Sequence, residues 1–190
     1  MANYFLQQHY NAIAYSREDL NLKEFEGCEF VKCDFSACNF IGVTFIDCRF
    51  TDCVFTGAKI NHVAFRTVHF TNCLMQDINF AMCDKLIFEM HFNRCVLDFS
   101  KFYTLKIKRM EFVDCSLIAV DFMKADLTEV IFDRCDLYRA LFSNTVLEKA
   151  NFRTSFNFSI DPAKNKIKRA MFSISNVKGL LDTYGIVVVD

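Results

Sequence analysis

Proline occurs once in this chain of 190 residues, at Pro162, and glycine only five times. That scarcity, with a hydrophobic content of 53%, fits one domain with a continuous core. No apolar run approaches the roughly 20 residues that a membrane span needs. The start, Met1 to Leu20, lacks the basic-then-apolar plan of a secretory signal, so a cytoplasmic location is expected. Histidine occurs four times, and neither a phosphate-cradling glycine loop nor a nucleophile–base–orienter set is found. The chain is therefore expected not to be an enzyme and to need no cofactor.

What the chain has instead is a period of five. Large apolar residues run without a gap from Phe25, Phe30 and Phe35 to Phe80, and resume as Ile87, Phe92, Leu97 and so on to Phe152. A second, smaller column lies two residues before each of these centres, as in Cys28, Cys33, Val43 and Ala58. Two inward residues separated by one outward residue suit a short extended segment, and the remaining two suit a turn. Four segments make a square coil. Twenty residues per coil place equivalent positions above one another, as a parallel ladder at about 4.8 Å. A single coil has no core, and only stacking creates one.

All ten cysteines fall in the small inward column. Cys33, Cys53 and Cys73 are spaced by 20, as are Cys95, Cys115 and Cys135, so each set should form an internal stack. A period of five gives neither paired C-x-x-C spacing nor ligands converging from outside. The cysteines therefore read as buried reduced thiols behaving as small hydrophobes, which again suits the cytosol. No metal site is expected, although His69 and His91 should stack on one wall. Beyond Ile87 the centres alternate between Phe and Leu or Ile, so two facing walls should carry rings and the other two smaller groups.

One frame slip occurs. Continuing the first frame would bury Lys85, whereas the second frame begins at Ile87, so two extra residues lie within 81–87. Burying lysine costs more than a local kink, so Asp84 and Lys85 should project at a corner, where they are candidate partner contacts. The acidic residues Glu24, Glu26 and Glu29 near the first coil are further candidates. Residues 1–19, with Tyr10, Ile13 and Tyr15 in approximate frame, are expected to cap the open first coil. Residues 20–175 form the solenoid, and its last coil, from 153 onward, is irregular, with a turn around Pro162.

In residues 176–190, Val177, Leu180, Leu181 and Tyr184 have helical spacing, with Asn176 as N-cap and Gly185 as stop. An extended apolar segment, Ile186 to Val189, follows. So hydrophobic an ending either folds back as a cap or pairs with a second copy. The dimer is the expected outcome, with Val177, Leu180, Leu181, Tyr184, Ile186 and Val188 at the interface.

Units such as Cys33-Asp34-Phe35-Ser36-Ala37 and Ala125-Asp126-Leu127-Thr128-Glu129 resemble the pentapeptide repeat proteins, and the likeness covers roughly residues 20–177. The resemblance implies an all-β fold, a right-handed quadrilateral parallel β-helix, here with a short C-terminal helix and strand. The ending from Val177 to Val188 further resembles the dimer module of the Qnr and MfpA type. Such proteins bind DNA gyrase or topoisomerase IV as a DNA-like rod and protect them from fluoroquinolones. The projecting loops of Qnr proteins have no counterpart here.

Charge argues against a faithful DNA mimic. A rod of about 31 Å would need about 18 negative charges to match a duplex, whereas this chain has 22 basic and 23 acidic residues. Residues 1–100 carry a net −4 and residues 101–190 a net +3, so the rod is polarised. Its acidic end holds Glu18, Asp19, Glu24, Glu26, Glu29 and Asp34. Its basic part holds Lys101, Lys106, Lys108, Arg109, Lys164, Lys166, Lys168 and Arg169. A protein partner is expected, with gyrase or topoisomerase IV first and an unrelated protein on a rigid scaffold as the alternative. Membrane association is not expected, and direct nucleic-acid binding has only a weak signal.

Overall fold

The computed structural model describes residues 3–17, 19–36, 38–85 and 88–186. Its strands are β1 (Asn3–Leu6), β2 (His9–Asn11), β3 (Lys23–Glu26), β4 (Glu29–Val31), β5 (Thr44–Ile46), β6 (Arg49–Thr51), β7 (Ala64–Thr71), β8 (Phe88–Asn93), β9 (Glu111–Val113) and β10 (Ile131–Asp133). Every pairing among them is parallel. The step is twenty residues: Phe25 lies opposite Phe45, Phe30 opposite Phe50 and Phe112 opposite Phe132. Four walls result. Walls 1 and 2 are centred on Phe25 and Phe30. Walls 3 and 4, centred on Phe35 and Phe40, hold their ladders through single bridges such as Val54 to Leu74 and Lys101 to Asp121.

The five-residue period is closed by its corners. The second residue after each centre recurrently takes a positive φ, as at Lys32, Asp52, Asn72, Asp114 and Arg134. Glycine fills few of these corners, and even the β-branched Thr67 is held at φ 53°. The stacked coil imposes the left-handed conformation on side chains that rarely adopt it. On many corners a backbone bond closes the turn, as from Ala58 N to Phe55 O at 2.8 Å.

The small inward column has a job that its size alone does not reveal. Cys28 Sγ donates to Phe5 O at 3.4 Å, Cys53 Sγ to Phe30 O at 3.4 Å and Cys135 Sγ to Phe112 O at 3.3 Å. Ser155 Oγ, Thr145 Oγ1 and Asn165 Nδ2 do the same to Phe132, Phe122 and Phe142 at 2.7, 3.0 and 3.1 Å. In each case the acceptor is the carbonyl of the residue 23 positions earlier, a centre of the coil below. Burying that carbonyl without a donor would cost about 1–3 kcal/mol. The thiols are thus donors as well as small hydrophobes, which explains why serine, threonine and asparagine substitute for them. All ten are free and buried. Burial pushes the Cys38 thiol up to about 11 and the Cys48 thiol up to about 12.

The frame slip is absorbed in two places. Phe80–Met82 forms a 3-10 turn that buries Phe80 and Ala81, and Cys83 follows it inward. Register then changes between β7 and β8: Phe65 pairs with Phe88, but Val68 pairs with Met90. Ile87, the expected first centre of the second frame, lies outside the described residues, and Phe88 is the half-buried residue opposite Phe65. The slip lengthens one coil by two residues, so Cys95 Sγ reaches the carbonyl of Phe70, 25 positions back, at 3.5 Å. Leu74 bridges Val96, which seats Cys95 above Cys73. The two expected cysteine stacks therefore join into one column of six.

Both ends extend the coil. The first residues, expected as a cap, add one more coil: β1 pairs with β3 and β2 with β4, and Tyr10 and Tyr15 stack on Phe30 and Phe35 at 4.8 and 4.9 Å. At the other end Asn157, at an expected centre, is exposed, and Phe158 turns inward instead, 5.5 Å from the rings of Phe152 and Phe172. The segment with helical spacing is not an α-helix. It forms two 3-10 turns, Val177–Leu180 and Asp182–Tyr184, which end at Gly185 with φ +63°. Asn176 caps the solenoid rather than a helix: its Nδ2 donates to Phe152 O at 2.7 Å and to Ser155 O at 2.9 Å. Gly179 lies so close to Phe158 that a Cβ there would meet its carbonyl at 2.4 Å. That contact, not helical hydrogen bonding, sets the path of the ending. Val188 and the expected final strand fall outside the described residues apart from Ile186, which is exposed.

Candidate interaction surface

The centres fill the interior, and ring stacking continues from coil to coil, as in Phe92, Phe112 and Phe132 at 5.4 and 5.3 Å. Depressions lie on the outer walls of the molecule, one lined by His69, His91, Arg94 and Glu111 and another by Tyr138, Phe156, Asn176 and Asp182. Among the described residues no group of three His, Cys, Asp or Glu side chains could hold a metal ion. No helix among them is long and apolar enough to cross a membrane. What the molecule offers a partner is its four walls and its ends.

Wall 1 is polarised. Glu24 and Glu26 lie at its start, where Tyr4 donates its hydroxyl to Glu26 at 2.7 Å. Its far half holds four aligned rows, since Lys106 bridges Asp126, Asp126 bridges Val146 and Val146 bridges Lys166. Asp126 pairs with Lys108 at 3.1 Å, and Glu129 sits between Arg109 at 2.8 Å and Lys149 at 2.6 Å. These two cations hold the Glu129 carboxyl down at about 2.

Wall 2 carries polar pairs along its ladder. Glu29 lies between His9 at 3.4 Å and Arg49 at 3.7 Å, and His69 stacks on His91 with ring centroids 4.5 Å apart. Burial, with His91 and Arg49 nearby, lowers the His69 pKa.

Wall 3 is the apolar one. Val54, Leu74 and Val96 form a half-buried row, and beyond them Phe99, Tyr138 and Phe156 are exposed by 56, 53 and 46%. Backbone bonds from Leu137 N to Phe156 O, from Ala119 N to Tyr138 O and from Phe99 N to Ile118 O place Tyr138 and Phe156 on adjacent coils and Phe99 two coils before Tyr138. Composition hid this stripe because its members occupy different positions of the five. Assigning every outward residue to a wall would have found it.

The expected contact residues do not converge. Glu24 and Glu26 are on wall 1 and Glu29 is on wall 2. Asp84, half-buried, and Lys85, exposed, lie at the corner between walls 4 and 1, beyond the rows of Thr44 and Ala64. At the C-terminus Val177, Tyr184 and Ile186 are exposed and Ile174 is 97% exposed, whereas Leu180 packs on the core and Leu181 is half-buried.

The model of the pentapeptide repeat region matches residues 23–86 and 85–156, dividing at the frame slip. The chain belongs to the pentapeptide repeat family. Among solved structures, this pentapeptide repeat protein is similar to a trypsin-treated variant of QnrB1, a plasmid-mediated fluoroquinolone resistance protein. Identity is 15%, with 98% of this chain and 100% of that one covered, at a TM-score of 0.55. It is also similar to HetL, involved in regulating heterocyst differentiation in the cyanobacterium Nostoc sp. strain PCC 7120. There the identity is 11%, with 91% and 90% covered, at a TM-score of 0.50. At such identities the likeness is one of fold. No curated protein matches the chain.

Proposed function

We propose that this pentapeptide repeat protein is a non-catalytic binding rod of the Qnr type. It engages DNA gyrase or topoisomerase IV through its outer walls and protects them from fluoroquinolones. The observation that carries this reading is a filled rod, alike to QnrB1 along its whole length, with an exposed apolar ending at Val177, Tyr184 and Ile186. Pairing two copies through that ending would double the rod and bury those side chains, with a cytoplasmic homodimer as the working form. Purified protein titrated into a gyrase supercoiling assay containing ciprofloxacin should restore supercoiling at micromolar concentration. No effect on either gyrase or topoisomerase IV would remove the reading, and a monomer by light scattering would remove the dimer.

Wall 3 favours a second reading, a rigid scaffold for an unrelated protein. No continuous acidic stripe runs along walls 1 and 2, whereas Phe99, Tyr138 and Phe156 form the kind of aromatic anchor set on which protein interfaces are built. Replacing Tyr138 and Phe156 by Ser separates the readings: topoisomerase protection through the charged walls would survive, and capture of a partner through wall 3 would not.

A further inference from the structure

The far half of wall 1 concentrates positive charge that the ion pairs on it do not consume. Its four rows hold seven basic side chains (Lys106, Lys108, Arg109, Lys149, Lys166, Lys168 and Arg169) and three acidic ones (Asp126, Glu129 and Glu148). Asp126 is tied to Lys108, and Glu129 to Arg109 and Lys149. Among the described residues Lys106, Lys166, Lys168 and Arg169 have no ion pair, and all four are exposed. The free cations therefore sit on the two outer rows. Three coil steps separate those rows, about 14 Å at the ladder spacing, with a charge-balanced strip between them.

We infer that this half of wall 1 binds the phosphate backbone of duplex DNA, without reading its sequence. Three features select that ligand. The strip is straight and set by a rigid ladder, so it presents its cations to a rod-shaped polyanion at fixed intervals. Its outward rows contain no aromatic side chain on which unpaired bases could stack, which disfavours single strands. Its cations are lysines and an arginine on a flat wall with no element raised to enter a groove, so the contacts are to phosphates, which position without specifying. This surface is separate from the apolar ending and wall 3, and the inference does not depend on topoisomerase binding.

The test is fluorescence anisotropy with the full chain and two labelled 20-base-pair duplexes of unrelated sequence, read from 50 to 200 mM salt. Four phosphate contacts predict a slope of log K against log salt of about −3.6, or about 150-fold weaker binding across that range, equal for both sequences. K166E/K168E/R169E should flatten the slope to about −1, and the charge-matched R139E/R153E/K178E, on other surfaces, should leave it unchanged. Melting curves check that both variants fold. Absence of duplex binding at 50 mM salt, or an equal loss in both variants, overturns the assignment. So does stronger binding of single strands, or displacement of the duplex by poly-glutamate at equal charge.

Discussion

The rod fills one square cross-section in two ways. Before the slip most centres are phenylalanine, and rings on adjacent walls meet edge to face, as in Phe25–Phe30 at 5.4 Å and 75° and Phe45–Phe50 at 5.1 Å and 83°. After it the rings sit on facing walls 2 and 4, and the edge-to-face contacts join residues ten apart, as in Phe112–Phe122 at 6.2 Å and Phe122–Phe132 at 5.7 Å. Leu117, Leu127 and Leu137 fill the spaces between. The second packing needs half as many rings because each ring reaches across the axis rather than around a corner. The backbone ladder is common to both, so the coil tolerates either solution provided the volume is filled.

The largest break in this comparison should come from removing a ring that spans the axis. Phe112→Ala should cost about 3–5 kcal/mol, as aromatic truncations in cores do. Phe35→Ala should cost as much in the first half, and thermal or urea unfolding measures both. An unchanged melting curve for Phe112→Ala would contradict its place at the centre of wall 2. Next, Leu117→Phe inserts a ring where the second packing has none and should destabilise by about 1–3 kcal/mol. The same residue type is already accommodated at Phe35 and Phe55 on that wall. If Leu117→Phe proved neutral, the two halves would not be distinct packings.

The inward donors sharpen the contrast further. Ser155→Ala leaves the buried carbonyl of Phe132 without its 2.7 Å partner and should cost about 1–3 kcal/mol. Cys53→Ala removes a longer, weaker donor at 3.4 Å and should cost less by the same unfolding measurement. The smallest effect is electrostatic and belongs to the second half. The Glu129 carboxyl is lowered from 4.5 to about 2 by Lys149 and Arg109, so it stabilises the fold above the unfolded-state value. That contribution should fade as pH falls from about 4.5 toward 2. Glu129→Gln should remove this part of the acid dependence, and an unaltered pH–melting profile would show that the Glu129 ion pairs contribute nothing.

Much of this was legible in the residues. The period of five placed Phe25 to Phe80 inward, the alternation after Ile87 assigned rings to facing walls, and the 22-residue interval of His69 and His91 placed them together. The C-terminus was harder to read. Helical spacing at Val177, Leu180, Leu181 and Tyr184 lost to tertiary contacts, because Asn176 and Gly179 are fixed by the last coil and permit only 3-10 turns. The candidate contacts were chosen for charge and projection, both local properties. The frame already separates them: Glu24 and Glu29 precede successive centres and so belong to adjacent walls.

The sequence by itself determined the repeat, its frame and the identity of the two inward columns, because alternation of large, small and polar groups acts within five residues. Only the tertiary structure decided how the walls before the slip continue into those after it. That depends on how the slip is absorbed between β7 and β8, where the step between coils goes from 20 residues to 23 and then to 22. The six-thiol column and the continuity of Leu74 with Val96 on wall 3 are consequences of that stacking.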